Sequence, residues 1–135
     1  MTTESREAKK SEGHSHLEEA KKLYRKAVEE FEIARDKNDR GFLRDACAKG
    51  WLSAIEATLS LFLKKGVKEE ELPKADRGRR YMIYQYAEKE LRLYYFSIRD
   101  NLHREGYYEA SLDFDEVERH LDDLSIYIHK IGERN

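Results

Sequence analysis

Apolar residues recur at intervals of three and four along most of the chain, and this spacing constrains the fold more than any other feature. An α-helix places residues so spaced on one face, whereas a half-buried strand needs strict alternation. No segment alternates for long enough to predict a strand. One proline and seven glycines among 135 residues also disfavour a protein of many turns. The sequence therefore predicts an all-α protein.

Four amphipathic helices account for the spacing, and residues typical of helix ends suggest their limits. Ser15 with Glu18, and Asp113 with Glu116, have the capping-box spacing of a helix start. Gly66 suits the left-handed residue that follows a helix. The predicted helices run from Ser15 to about Asp36, from Leu43 to Lys65, from about Gly78 to Arg104 before a stop at Gly106, and from Asp113 to Gly132.

Short polar connections join these helices, which favours an up-and-down antiparallel bundle of four main helices. The connector 67–80 is highly charged, and we expect at most one extra short helix there. Its basic run Lys74–Arg80 lies near a helix start, where three arginines could help to bind a phosphate, but we favour a solvated linker. Residues 1–14 carry almost nothing apolar, so we predict a flexible polar tail followed by one helical domain over residues 15–135.

Composition excludes several classes of function. A net charge of −2 and a pI near 6.2 provide no overall basic field, so we expect no DNA binding and at most a local phosphate site. The most apolar stretch, Trp51–Leu63, is too short and too polar for a membrane span, and no signal-peptide pattern opens the chain. We therefore expect a cytoplasmic protein without membrane contact. The scarcity of Gln and Asn beside many opposed charges is typical of thermophiles.

The histidines and the cysteine of the chain are not spaced or exposed as a metal site or a nucleophile requires. The five histidines form no His-x-x-x-His or Glu-x-x-His pair, and Cys47 is the only cysteine. Cys47 lies on the apolar face of the second predicted helix, where burial makes a thiol inert. No glycine-rich phosphate loop is present. We expect no metal site and no cofactor.

The most suggestive cluster lies near the end of the third predicted helix. Arg99 and His103 are four residues apart, so they share a helix face. A guanidinium can hold phosphate oxygens while an imidazole, which titrates near neutrality, moves a proton. Arg104, Tyr107 and Tyr108 would add a second cation and two aromatic surfaces for a base. A structural alternative has Arg99 paired with a carboxylate of a neighbouring helix and His103 packed against it.

The four-helix layout and the turn Leu102-His103-Arg104-Glu105-Gly106-Tyr107-Tyr108 resemble the HEPN superfamily (higher eukaryotes and prokaryotes nucleotide-binding domain), especially its small archaeal members. The resemblance implies that Arg99 contacts phosphate, that Asp100 is the polar neighbour, and that His103 is the acid or base. It also implies a homodimer whose subunits share one site. The family motif usually has four to six residues between Arg and His, and this chain has three. One missing residue rotates His103 by about 100° around a helix, which favours a binding protein over a nuclease.

We therefore expect a dimeric module that binds a nucleotide, RNA or a protein partner such as the nucleotidyltransferase of a toxin–antitoxin pair. One alternative is a metal-independent ribonuclease that uses Arg99 and His103 across the dimer. Another is a structural adaptor without nucleic-acid contact. Dimerisation through the third helix is expected because Tyr86 and Phe96 fall off its apolar face, which includes Tyr81 and Tyr84.

Overall fold

The computed structural model describes residues 3–133, with side chains from residue 13 onward. The α-helices are α1 (Thr3–Lys37), α2 (Arg40–Lys64), α3 (Asp76–Tyr86), α4 (Lys89–Ile98) and α5 (Phe114–Gly132). A 3-10 turn at Glu69–Glu71 follows α2, and a π-helical segment at Arg99–Tyr108, called the π segment below, continues α4. The described residues contain no strand, so the all-α prediction is confirmed. None of the described helices is long and apolar enough to cross a membrane.

The first helix begins earlier than the sequence predicts. It is already helical at Thr3, so the predicted capping role of Ser15 is wrong. Helix α2 packs against the end of this extension, where the Ser60 hydroxyl donates to the carbonyl of Gly13 at 2.8 Å. The mobility of residues 1–14 stays a prediction. Residues 1–2 of that tail and residues 134–135 of the predicted domain lie outside the described residues.

Helices α1 and α2 form an antiparallel hairpin. Asn38 adopts a positive φ of 50°, and the Asp39 side chain caps α2 by accepting from the N–H groups of Gly41 and Phe42. Side-chain contacts then follow in antiparallel order along the pair, from Lys49 with Glu30, through Ser53 with the Ala20 carbonyl, to Ser60 with Gly13. Gly66 follows α2 at φ 98°, as its predicted left-handed role requires.

Helix α5 completes the apolar core. The predicted capping box is present, since the N–H of Glu116 donates to Asp113 Oδ1 at 2.8 Å and the Glu116 side chain accepts in return. The buried hydroxyls of Thr58 and Tyr127 hydrogen-bond at 2.7 Å. The apolar stripe is buried at Val117, Leu121, Leu124, Ile128 and Ile131. The fourth predicted helix is therefore confirmed from its cap to its end at Gly132.

Hydrogen bonds of His16 connect the 3-10 turn to the hairpin of α1 and α2. His16 of α1 hydrogen-bonds through Nδ1 to Glu56 of α2 and through Nε2 to Glu69 at 3.1 Å. Burial lowers the pKa of His16, but the hydrogen bonds and charges of the two glutamates outweigh burial and raise it above its ordinary 6.5. The 3-10 turn is a short helical piece within the connector 67–80, where at most one short helix was expected, and this cluster anchors it to α1 and α2.

The third predicted helix is divided in the structure, so the prediction of one continuous helix is wrong. Helix α3 ends at Tyr86, and Ala87 and Glu88 have extended backbone with ψ of 140° and 158°. Ala87 is buried, which places the break against the core. Neither a proline nor a glycine marks the break, so packing rather than local backbone preference produces it.

The π segment replaces the predicted helix stop at Gly106. Its hydrogen bonds join residues five apart, so its turns are wider than those of an α-helix. Gly106 is buried inside the segment, where an added Cβ would lie 2.6 Å from Cys47 Sγ. The thiol of Cys47 is buried as predicted, and burial raises its pKa to about 12. Glycine at position 106 therefore permits the close approach of the π segment to α2.

The aromatic residues of α3 lie on other faces than predicted. Tyr81 and Tyr84 were expected to be buried, yet they are 73% and 64% exposed. Tyr86, expected on an outer surface, is half-buried with its ring 6.1 Å from that of Phe62. Phe96 is half-buried between the rings of Tyr84 and Tyr95. The break after Tyr86 separates the registers of α3 and α4, which explains both errors.

Candidate functional site

Asp76 lies at the centre of a group of arginines. As the first residue of α3, it accepts from Arg99 Nε at 3.0 Å on both carboxylate oxygens, and Arg80 Nε lies 3.0 Å from Oδ2. Burial raises the pKa of Asp76, but Arg99, Arg80 and Arg79 together hold it below its ordinary value. One carboxylate therefore faces three guanidinium groups, which leaves an excess of positive charge.

Arg79 is the most deeply placed of these arginines. It was expected in a solvated linker, but α3 already includes it and it is only 8% exposed, so that prediction is wrong. Its guanidinium lies 5.9 Å from the centre of the Trp51 ring and interacts with the Tyr95 hydroxyl. Its Nε is buried and has no hydrogen-bond partner in the described part of the chain. Such orphaned donors are rare, and this one is closed to solvent, so Arg79 contributes mainly its positive charge to the site.

Arg99 is held by carboxylates on two sides. Besides its contacts with Asp76, its Nη1 donates to Asp100 at 3.2 Å. Asp100, the predicted polar neighbour of the motif, also lies 3.9 Å from Arg104. The pairing with α3 is the ion pair that the structural alternative predicts. Arg99 is consequently well oriented, and only part of its hydrogen-bonding capacity is free.

His103 lies close to Arg99, but aromatic contacts define its position. Its ring stacks on Trp51 with centroids 5.0 Å apart and planes 20° apart, and it meets the edge of Tyr108 at 4.9 Å. No hydrogen bond to its ring nitrogens is found among residues 13–133. Burial lowers the pKa of His103, and Arg99 adds to the effect while Asp76 opposes it. The neutral form of the imidazole is therefore favoured.

The residues predicted to contact a base, Arg104, Tyr107 and Tyr108, differ in their exposure to solvent. Tyr108 is 63% exposed beside His103, and Arg104 is also exposed. Tyr107 packs towards α2 instead: its ring lies 4.8 Å from the guanidinium of Arg44, and its carbonyl accepts from Arg44 Nε at 2.7 Å. Tyr107 thus fixes the end of the π segment, while Tyr108 and Arg104 are accessible to a ligand.

Five residues around the site were not predicted as members of it. Asp76, Arg79 and Arg80 belong to the basic run Lys74–Arg80, which was interpreted as a solvated linker. Trp51 was placed on an apolar face but not near His103. Tyr95 donates its hydroxyl to Asp76 at 3.3 Å, and burial raises its pKa to about 12. These contacts all depend on the packing of α2, α3 and α4, which spacing along the chain does not reveal.

No cluster of three or more His, Cys, Asp or Glu side chains suited to a metal occurs among the described residues. No protein-family model matches the chain, and no curated protein is significantly similar to it. Function is therefore inferred from the charges and rings around Asp76.

Proposed function

We propose that the chain binds the phosphate of a nucleotide or RNA at the arginine cluster, defined as Asp76, Arg79, Arg80 and Arg99. The observation that carries the proposal is that Asp76 contacts the guanidinium groups of Arg80 and Arg99 and also feels the charge of Arg79. Because Asp100 pairs with Arg99 as well, the three guanidinium groups face two carboxylates. The remaining excess of positive charge lies partly out of water, where electrostatic attraction is stronger than at a fully exposed surface. A phosphate is the common ligand that complements such a group.

Aromatic rings favour a nucleotide over a simple anion. Tyr108 presents most of its ring to solvent next to His103, and a base stacked on an aromatic side chain contributes about 1–3 kcal/mol. Arg104 adds an exposed cation one residue after His103.

We place this activity in a HEPN-like, up-and-down helical bundle that acts as a homodimer, with a nucleotidyltransferase-type protein as an additional partner. The resemblance at Leu102–Tyr108 supports this assignment. So does the π segment, because π turns are frequent at functional sites and this one spans the whole motif from Arg99 to Tyr108. With more than 3.6 residues per turn, each residue also rotates by less than 100°, so the argument that one missing residue misplaces His103 applies less strictly.

A metal-independent ribonuclease is the second candidate, and it is favoured by the free ring nitrogens of His103 beside Arg99. A neutral imidazole can accept a proton from a ribose hydroxyl. Two contacts favour binding without cleavage: Arg99 is paired with Asp76, and His103 is stacked on Trp51. Incubating labelled RNA with the protein in chelator distinguishes the two, since a nuclease of this kind cleaves without metal and loses activity in His103→Ala.

Fluorescence anisotropy of a fluorescein-labelled oligouridylate measures the proposed binding. We expect Arg99→Gln to weaken binding about tenfold or more, because a charged hydrogen bond contributes about 1.5–3 kcal/mol. The slope of log Kd against log salt should fall by about 0.7, the contribution of one phosphate contact on a single strand. Arg35→Gln is the matched control, since it removes a guanidinium that pairs with exposed Glu118 at 2.8 Å.

Equal affinities for the parent, Arg99→Gln and Arg35→Gln would contradict the role of the arginine cluster. A parent protein that binds neither oligouridylate nor uridine monophosphate would favour the structural adaptor instead. Circular dichroism of each variant checks that a loss of binding does not come from unfolding.

A further inference from the structure

A surface cavity lies on the solvent face of α3. Arg77, Arg80, Tyr81 and Tyr84 are spaced by three and four residues, so they share one face of the helix. With Phe96 of α4 they line a surface cavity of about 350 Å³. These five residues are called the tyrosine groove below.

Both tyrosine rings of the groove are exposed, and that of Tyr84 is also held in place. Tyr81 and Tyr84 face solvent, and the Tyr84 ring contacts that of Phe96 with centroids 5.5 Å apart. The guanidinium of Arg92 lies 5.6 Å from the centre of the Tyr84 ring. A ring that is already fixed loses little conformational entropy when a planar ligand stacks on it. The groove is therefore suited to flat, unpaired rings.

The charge of the groove indicates the class of ligand. Arg77 has no ion pair within the described residues, and Arg80 uses its Nε on Asp76. Cations beside exposed aromatic rings are the pattern that binds single-stranded nucleic acid, with arginines along the backbone and bases on the rings. An acidic peptide would pair with the arginines but leave the tyrosine rings unstacked. A second copy of the chain, facing the groove symmetrically, would bring like charges together.

We propose that the tyrosine groove binds the bases and backbone of a single-stranded polynucleotide whose neighbouring phosphate occupies the arginine cluster. The two sites are continuous, because Arg80 lines the groove and contacts Asp76 in the cluster. This inference rests on the proposed function and narrows its ligand from a nucleotide to a polymer. The stacking that it invokes does not depend on the sugar, so single-stranded RNA and DNA both satisfy it, and the proposal departs here from the expectation of no DNA binding that the net charge suggested.

The double variant Tyr81→Ser/Tyr84→Ser tests the groove with little risk to the fold, because both side chains are mostly exposed. Anisotropy with labelled oligouridylate and with oligothymidylate of equal length should show at least a fivefold loss of affinity for each. Calorimetric titration with uridine monophosphate should give an unchanged affinity, because the arginine cluster is intact. Phe42→Ser, which removes a partly exposed ring from α2, is the matched control and should bind both oligonucleotides as the parent does.

Failure of the groove can be distinguished from failure of the proposed function. If the parent binds uridine monophosphate and the double variant retains full oligonucleotide affinity, the groove proposal alone is overturned. If the parent binds neither probe, both are overturned. If sedimentation velocity shows a parent dimer that the double variant loses while oligonucleotide affinity is unchanged, the groove belongs to a second copy of the chain and the proposal is wrong.

Discussion

Two regions of the molecule differ in how they accommodate polar and charged side chains. The first, regular region is the hairpin of α1 and α2 with α5, and the second, irregular region comprises α3, α4 and the π segment. In the first region the buried hydroxyls are paired: Ser53 and Ser60 donate to carbonyls of α1, and Thr58 bonds to Tyr127. Single buried atoms without a hydrogen-bond partner occur in both regions of the described chain, at Glu30 and His120 in the first and at Arg79 in the second. What distinguishes the second region is the group of arginines around Asp76. The regular region builds a stable core, and the irregular one carries the chemical groups that the fold itself does not use.

Glycine to alanine changes should have opposite effects in the two regions, and this is the largest effect we expect. Gly106→Ala places a Cβ 2.6 Å from Cys47 Sγ and 3.0 Å from the Asn101 carbonyl, so it should destabilise the protein by about 1–3 kcal/mol. In Gly13→Ala of α1, the nearest atoms lie at an ordinary 3.8 Å, so a gain of up to about 1 kcal/mol is expected. Urea denaturation of both variants measures the difference. Equal stabilities would show that the π segment can relax away from α2.

Neutralising Asp76 should separate stability from ligand binding. Asp76→Asn leaves the arginines of the cluster without their carboxylate, and we expect a loss of about 1–2 kcal/mol, less than for a fully buried pair. The same change increases the positive charge, so the affinity for oligouridylate should rise. Asp45→Asn, an exposed aspartate on α2, is the control and should alter neither property.

The stability difference between the parent and Asp76→Asn should also depend on pH. Since the pKa of Asp76 in the folded protein lies below its ordinary 3.8, the ionised carboxylate stabilises the fold above that pH. The contribution should disappear as the pH falls below 3.8 through the lowered pKa. A difference that stays constant in acid would contradict the assignment of the stabilisation to the charge of Asp76.

The smallest expected effect on stability is that of His16, in the hairpin of α1 and α2. The raised pKa of His16 means that the imidazolium bound to Glu56 and Glu69 stabilises the fold fully below pH 6.5, and less as the pH rises through the pKa of the folded state. His16→Gln should therefore cost about 0.5–1 kcal/mol near about pH 6 and less near about pH 9. Thermal denaturation at both values measures this. His129→Gln, whose exposed side chain pairs with Glu133, should change stability at neither.

The confirmed local predictions lie at the ends of helices in the first region, and the break that was not predicted lies in the second. The capping box of Asp113 and Glu116 and the left-handed Gly66 are local signals, and both predictions are confirmed. The break at Ala87–Glu88 has no local signal, because neither residue is a helix breaker. Burial of Ala87 against other helices decides it, and a single sequence does not display such tertiary contacts.

The sequence predicted the motif Arg99–Tyr108 of the candidate site, but not the residues of other helices that surround it. Spacing alone brought Arg99 and His103 together, since residues four apart meet on either kind of helix. It could not supply Asp76 or Arg79, which come from a separate helix about twenty residues away along the chain. A run of charges is usually solvated, and only the docking of α3 on Trp51 makes Arg79 an exception.

The stacking of His103 on Trp51 has an optical consequence. Trp51 is the only tryptophan of the chain, so indole emission from the protein arises from this one ring. Because the His103 ring stacks on this indole, a ligand that moves His103 changes the surroundings of the indole and hence its emission. The protein contains its own fluorescent reporter beside the arginines, and no label has to be attached there.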